Sequence, residues 1–355
     1  MKKTLALLLS VLMLVTLLAA CGGDSGTPDT SGDSQQEENA GTPEEPSNDE
    51  PEAPAAGGTV GVCIYQFTDA FMTTYRNALQ EILESKGYNV TTVDGANDQA
   101  KQNEQINTFI TQGVDALIIN PVMTSAADQI IATVQAAGIP TVLINREPTA
   151  DQMAVYDKLV YVGCDARQSG TMQGELILDT PNGGDINGDG KVSYIMVQGD
   201  PENVDAQYRT EFSVKALTDA GVEVEELNLT RGDWMRERGQ EIVANDLAQF
   251  GSAVEVVFCN NDDMAIGALQ AIQAAGRKVN EDIYLVGVDA LDAALEEVKN
   301  GNMTGTVLND ANGQATAAVE QMELLLGGKT FAAGEQSVYV DYVKVTPDNV
   351  GDFMG

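Results

Sequence analysis

Among its 355 residues the chain has no histidine. That absence removes the Ser-His-Asp set and the common histidine-based metal triads. No glycine-rich phosphate loop follows any apolar run, so nucleotide chemistry has no seat. Basic residues are scarce: 19 Lys and Arg face 54 Asp and Glu, a formal charge of −35. Phosphate backbones are bound through clustered Lys and Arg, which excludes a nucleic-acid partner. Aromatics make up only 5% of the chain, with a single tryptophan, Trp234. Beyond position 21 the cysteines are Cys63, Cys164 and Cys259, an odd number, each in or beside an apolar run. They read as small buried hydrophobes, not as a disulfide framework.

Residues 1–20 carry Lys2 and Lys3 and then an apolar run from Leu5 to Leu18, too short for a stable membrane span. This is the pattern of a secretory signal peptide. The run closes Leu18-Ala19-Ala20-Cys21, which resembles a bacterial lipoprotein signal, with Cys21 lipidated as the new N-terminus. From residue 22 to 57 there are ten carboxylates and no Lys or Arg among small polar residues. Such a stretch cannot bury enough apolar surface to order itself, so 21–57 is expected to be a disordered acidic tether. As a random coil it would span roughly 33 Å. The expected location is extracytoplasmic, on the outer face of the cell membrane, held by lipid.

About 298 residues remain, enough for two ordinary domains. Apolar runs alternate with helix-length amphipathic stretches such as Asn97–Thr111 and Thr124–Ala137. The predicted strands are Val60–Phe67, Val90–Val93, Ala116–Asn120, Thr141–Asn145, Val160–Val162, Val192–Gln198, Val222–Leu227, Val254–Asn260, Tyr284–Val288 and Thr304–Leu308. This rhythm gives an α/β fold with two doubly wound parallel sheets. Ligands of such sheets collect beyond the carboxyl ends of the strands. Those ends offer Asp69 and Phe71; Asn145 and Arg146; Asn203, Asp205 and Arg209; Trp234; Asn261; Asp289; and Asn309. Taken singly, an Asn or Asp after a strand is an ordinary turn former or helix cap. Taken together, the planar donors and acceptors suit the hydroxyls of a neutral sugar, with Phe71 and Trp234 for its apolar faces.

Asp185, Asn187, Asp189, the carbonyl of Lys191 and Ser193 reproduce the first nine positions of a calcium loop. The twelfth position is Met196, where a bidentate Glu belongs, so the ion needs a ligand from elsewhere.

From about Gly61 to Asn349 the chain resembles the bacterial periplasmic glucose/galactose-binding protein family, within the ribose-binding type of ABC sugar receptors. The resemblance is carried by Asp69–Met72, Gln102–Ile106, Asn145–Pro148, Tyr161–Gly163, the Asp185 loop, Gly199–Pro201 with Asp205 and Arg209, Asn260–Asp262, Gly287–Ala290 and Gly305–Asn312. It implies a type I periplasmic-binding-protein fold of two lobes joined by three crossing strands, near Gly163–Asp165, Asn309–Ala311 and Tyr339–Asp341. The expected N-terminal lobe is 58–164 plus 310–338, and the C-terminal lobe 165–309 plus 339–355. A hexopyranose would be stacked between Phe71 and Trp234, its hydroxyls held by Asp69, Asn145, Asp205, Arg209, Asn261, Asp289 and Asn309. The resemblance also supplies the missing calcium ligand, Glu255. Two positions depart from the family pattern: Asn203 replaces a pocket histidine and Arg146 a lysine, which leaves the choice among glucose, galactose and a glycoside open.

The expected function is a substrate-binding lipoprotein of an ABC sugar importer, monomeric, carrying structural calcium and handing its sugar to the permease and ATPase. A receptor presenting sugar to a chemoreceptor or sensor kinase is the alternative. Asp205 and Asp289 could in principle act as a glycosidase pair, but Arg, Asn and stacking rings hold a sugar rather than break it. A repressor of this architecture would need a basic DNA-binding segment, where this chain has an acidic one. No enzymatic activity is expected.

Overall fold

The computed structural model describes residues 57–354. The expected signal peptide, Cys21 and all but the last residue of the expected tether lie outside the described residues. No helix among the described residues is long and apolar enough to cross a membrane.

The first half builds β1 (Thr59–Ile64), α1 (Ala70–Ser85), β2 (Asn89–Asp94), α2 (Gln99–Gln112), β3 (Ala116–Ile119), α3 (Ala127–Ala137), β4 (Thr141–Ile144), the short α4 (Ala150–Met153) and β5 (Leu159–Gly163). The second builds α5 (Ala166–Leu178), β6 (Lys191–Gln198), α6 (Val204–Asp219), β7 (Glu223–Arg231), α7 (Arg236–Phe250), β8 (Val256–Cys259), α8 (Asp262–Ala274), β9 (Tyr284–Val286), α9 (Asp292–Lys299) and β10 (Thr306–Leu308). The chain then contributes α10 (Ala311–Leu326) and β11 (Ser337–Tyr339) to the first lobe, and β12 (Val343–Val345) to the second.

One lobe is a six-stranded parallel sheet in the order β11-β5-β4-β3-β1-β2. The other is a parallel sheet in the order β7-β6-β8-β9, continued by single bridges to β10, which pairs antiparallel with β12. Strand order reverses between β1 and β3 and again between β6 and β8, the crevices where sheets of this kind take ligands. Helices cover both faces of each sheet, so central strands are mostly apolar; β3, Ala-Leu-Ile-Ile, is wholly buried. In the first lobe, Val60, Val62 and Ile64 pack toward α1 and α10, while Cys63, Leu117 and Ile119 pack toward α2 and α3. In the second, Ile195 and Val197 join α7 and α8, while Tyr194 and Met196 join α5 and α6. Local signals set the helix ends: the Asp98 carboxylate accepts from Ala100 and Lys101 N–H to start α2, and Gly113, at φ 74°, stops it.

All ten expected strands are present, with shifted ends. The first ends at Ile64 rather than Phe67, because the following residues leave the sheet for the cleft. The Tyr65 N–H donates to Asn120 Oδ1 at 3.2 Å and the Phe67 N–H to Asp94 Oδ1 at 3.1 Å. The strand expected at Val222–Leu227 runs on to Arg231, since a register shift at Tyr194/Ile195 lets this edge strand keep pairing with β6 through Asn228–Arg231. Cys63, Cys164 and Cys259 are free and buried, as expected.

Between the sheets the chain crosses at Cys164–Asp165, Asn309–Asp310 and Val340–Asp341, short connections rather than strands. They touch one another: Val340 N–H donates to Gly163 O at 2.8 Å, and Cys164 Sγ lies 3.3 Å from Asn309 Oδ1.

The α5–α6 contact positions much of the site, because α6 carries Asp205 and Arg209. Gly170 and Gly174 on α5 allow the close approach. A Cβ at Gly174 would stand 2.4 Å from Ser213 O and 2.5 Å from Ala216 Cβ. Gly174→Ala should therefore overpack the contact and destabilise the protein by about 1–3 kcal/mol. An unchanged thermal unfolding midpoint would show that the helices are not this tightly constrained.

Candidate functional site

A cavity between the lobes is lined by Tyr65, Asp69, Phe71, Met72, Asn145, Arg146, Asn203, Asp205, Arg209, Trp234, Asn261, Asp289 and Asn309. All ten residues expected around a sugar are therefore brought together. About 340 Å³ of space, part of it open to solvent, lies within this lining.

Several of these side chains reach the cavity by doubling as helix caps. Asp69 caps α1: its Oδ1 accepts from Met72 N–H at 2.7 Å, and its Oδ2 accepts from Tyr65 Oη at 2.6 Å. Asn203 caps α6 through Oδ1, which accepts from Asp205 N–H at 3.0 Å. Asn261 caps α8 in the same way at Met264 N–H, and its Nδ2 donates to Trp234 O. Asn145 Oδ1 accepts from Asn120 Nδ2 at 3.2 Å. The local reading of an Asn or Asp after a strand as a cap is thus correct for Asp69, Asn203 and Asn261, and the cavity uses the same residues.

Backbone strain gathers here. Asn145 (φ 65°), Asp233 (φ 54°), Trp234 (φ 66°), Asp289 (φ 122°) and Ala290 (φ 55°) all have positive φ. For a residue as bulky as tryptophan that conformation is rare, and such strain clusters at binding sites. Gly199 makes room for the indole, since a Cβ there would lie 2.2 Å from its ring. Trp234 packs against the core of the second lobe and Phe71 belongs to the core of the first, edge-on to Tyr75 at 6.0 Å; both also line the cavity.

The electrostatic centre is Arg209, 3% exposed. One terminal nitrogen donates to Asn260 O at 2.8 Å, and the other to Tyr342 Oη at 3.0 Å. Asp205 and Asp289 stand 3.8 and 3.9 Å from the guanidinium. That is close enough for attraction and too far for hydrogen bonds, so their oxygens keep capacity for a ligand. Burial raises the pKa of Asp69 despite its two hydrogen bonds, and that of Asp289 well above the usual carboxylate range. Burial likewise pushes Asp205 up to about 6, partly opposed by Arg209. The Nε groups of Arg146 and Arg209 are buried with no hydrogen-bond partner. An arrangement of buried acceptors and unpaired donors, with rings at the walls, takes a neutral molecule that both donates and accepts at many points.

Tyr65 and Met72 line the cavity without having been expected there, and Arg146, expected at a strand exit but given no contact to sugar, lines it too. Arg146 is 2% exposed, with its guanidinium 4.2 Å from the Tyr65 ring centroid. Its place directly after Asn145, at a strand exit, was the available signal. Tyr65 had the same signal, masked by its apolar neighbours. Tyr342, which holds Arg209, belongs to the third crossing and had none.

The expected calcium loop sits before and at the start of β6, away from the cavity. Its donors suit a hard cation: alternating Asp185, Asn187 and Asp189, with Gly188 and Gly190 at positive φ. Met196 is buried in the core, whereas Glu255 lies beside the loop. Glu255 Oε1 accepts from Ile186 and Asn187 N–H, and its Oε2 from Ser193 N–H. Asp185 and Asp189 also accept loop N–H groups, and Lys191 Nζ pairs with Glu225 at 2.5 Å. Among the described residues no three carboxylates converge closely enough to hold an ion.

Residues 60–330 match the periplasmic binding protein domain family. The chain is 35% identical, over 84% of its length and 93% of the relative's, to the D-galactose/methyl-galactoside binding periplasmic protein MglB of Haemophilus influenzae. It is 29% identical to the ribose import binding protein RbsB of Bacillus subtilis, over 76% of this chain and 82% of that one. Among solved structures, an ABC transporter solute binding protein from Bacillus halodurans with bound myo-inositol superposes with a TM-score of 0.73. It is 30% identical, over 85% of this chain and 99% of that one.

Asp205 gives a pH test. Its folded pKa, about 6, exceeds the unfolded value of about 3.9, so the folded form holds the proton more tightly. This group therefore adds stability to the sugar-free protein as pH falls from about 6 toward 4. Relative to Asp205→Asn, the wild type should gain thermal stability over that window. Parallel melting-temperature profiles for the two proteins would contradict the assignment.

Proposed function

The chain belongs to the periplasmic binding protein family, and on that premise we propose that it captures D-galactose or D-glucose outside the cell and delivers it to an ABC importer. The family is one of solute-binding proteins rather than enzymes, and sugar binding of the ribose/galactose type is the coarser statement its relatives support. The observation that carries the finer reading is the composition of the interlobe cavity. Asp69 and Phe71 come from one lobe, Asp205, Arg209, Trp234 and Asp289 from the other, and all line one space.

In this reading the open protein hydrates the cleft. A hexopyranose touches both lobes and so favours closure through contacts that the open form lacks. Its hydroxyls donate to Asp69, Asp205 and Asp289 and accept from Arg209, Asn145, Asn261 and Asn309, while Phe71 and Trp234 cover its C–H faces. Hydrogen bonds to charged groups contribute about 1.5–3 kcal/mol each. After desolvation and closure, a net near roughly −8 kcal/mol corresponds to micromolar affinity. The crossings at Cys164–Asp165, Asn309–Asp310 and Val340–Asp341 serve as the hinge. Asn203, where the family resemblance implies a histidine, offers its Nδ2 to the sugar.

Anchoring through a lipid on Cys21, an acidic tether, a monomeric state and a structural calcium ion complete the proposal. Asp185, Asn187, Asp189, the Lys191 carbonyl, Ser193 and Glu255 would hold the ion, which stabilises the second lobe without touching sugar. The hardness of these oxygen donors and the place of Glu255 beside the loop support it.

Two measurements bear on this. Trp234→Ala should weaken galactose and glucose binding at least tenfold by titration calorimetry; affinity unchanged within twofold would remove the stacking role. Removing calcium with a chelator should lower the melting temperature, and an unmoved transition in protein free of calcium by elemental analysis would leave the loop as a polar turn.

A further inference from the structure

A second, larger space adjoins the sugar cavity. This outer cavity holds about 590 Å³, against about 340 Å³ for the inner one. The two share Tyr65, Arg146 and Trp234 as a common wall. Beyond that wall, one side is formed by Gln66 and Asn97 of the first lobe and the other by Asp200, Arg231, Asp233 and Met235 of the second. Its rims are two loops held in unusual conformations: Ala96 and Asn97 both have positive φ, as do Asp233 and Trp234 across the opening.

Its chemistry narrows the occupant. Arg231 lies 3.3 Å from Asp200 and also pairs with Asp233. With Arg146, the outer space therefore carries two guanidinium groups and two carboxylates, a local balance within a strongly acidic chain. That balance favours neither a phosphate nor a uronate, and planar hydrogen-bonding groups beside an exposed thioether at Met235 again match a neutral polyol. At the junction, Arg146 has a buried Nε with no partner.

We infer that this outer cavity is a second sugar subsite, so that the preferred ligand is a glycoside or disaccharide whose terminal hexose fills the inner cavity. The unpaired Arg146 Nε donates to the linkage oxygen, and Arg231 and Asn97 meet the second ring. This rests on the hexose reading of the inner cavity and extends it to the class of substrate.

Titration calorimetry on the full chain tests it, with galactose, glucose, methyl galactoside, melibiose, lactose, maltose and cellobiose as ligands, for wild type and Arg231→Ala. The Arg231 side chain is half exposed, 51%, so its truncation should leave folding intact. At least one disaccharide should bind fivefold or more tighter than its terminal monosaccharide, and Arg231→Ala should abolish that advantage while changing monosaccharide affinity by less than twofold. Monosaccharides binding tenfold tighter than every disaccharide, or an equal loss for both classes in Arg231→Ala, would overturn the second subsite while leaving the hexose site standing. No binding by any member of the series would bring down both.

Discussion

Arg209 is held out of water between two lobes with Asp205 and Asp289 on either side, each just beyond hydrogen-bonding distance. A buried charge left without full partners is expensive, and here the imbalance is built in. Arg209 is fixed by the Asn260 carbonyl and the Tyr342 hydroxyl, so it cannot swing to either carboxylate. Burial raises the pKa of Asp69, Asp205 and Asp289, so each of these carboxylates favours a proton over a bare charge. Hydroxyls supply donors to the carboxylates and lone pairs to the guanidinium together, which is why a neutral polyol answers this site better than an ion of either sign.

The rest of the fold holds that centre. Parallel strands end in the crevice, their exits supply caps, and a capping Asn or Asp presents its remaining polar atoms to the space between the lobes. Glycines allow what larger residues would prevent: Gly174 lets α6 approach α5, and Gly199 leaves room for the Trp234 ring. Tyr342 comes from the last crossing and Arg209 from the second lobe, so a connection between the lobes touches the electrostatic centre directly.

Much of this was legible in the sequence, for identifiable reasons. The alternation of strand-like runs with helical stretches located all ten expected strands, most plainly the central ones such as Ala116–Ile119, which are buried on both faces and leave few polar residues to confuse the reading. The site residues were legible because sheets of this class display their exits, and the lone Trp234 had few competitors. The short strands Ser337–Tyr339 and Val343–Val345 were not legible. Each has three residues, most of them at least partly exposed, and no run of apolar side chains. Strand ends moved where side chains such as Asn120 and Asp94 capture backbone groups from distant positions, a tertiary effect that no local window contains. Tyr65 escaped, and Arg146 was placed at a strand exit without a role, because the two stack on each other across two different strand exits.

The most direct measurement is a diffraction structure of the protein crystallised with galactose or glucose. One pyranose ring should lie between Phe71 and Trp234, with its hydroxyls within about 3 Å of Asp69, Asp205, Asp289 and Arg209. A ring bound elsewhere, or a closed cleft holding only water at saturating sugar, would contradict the idea that this group of charges exists to receive a neutral hexose.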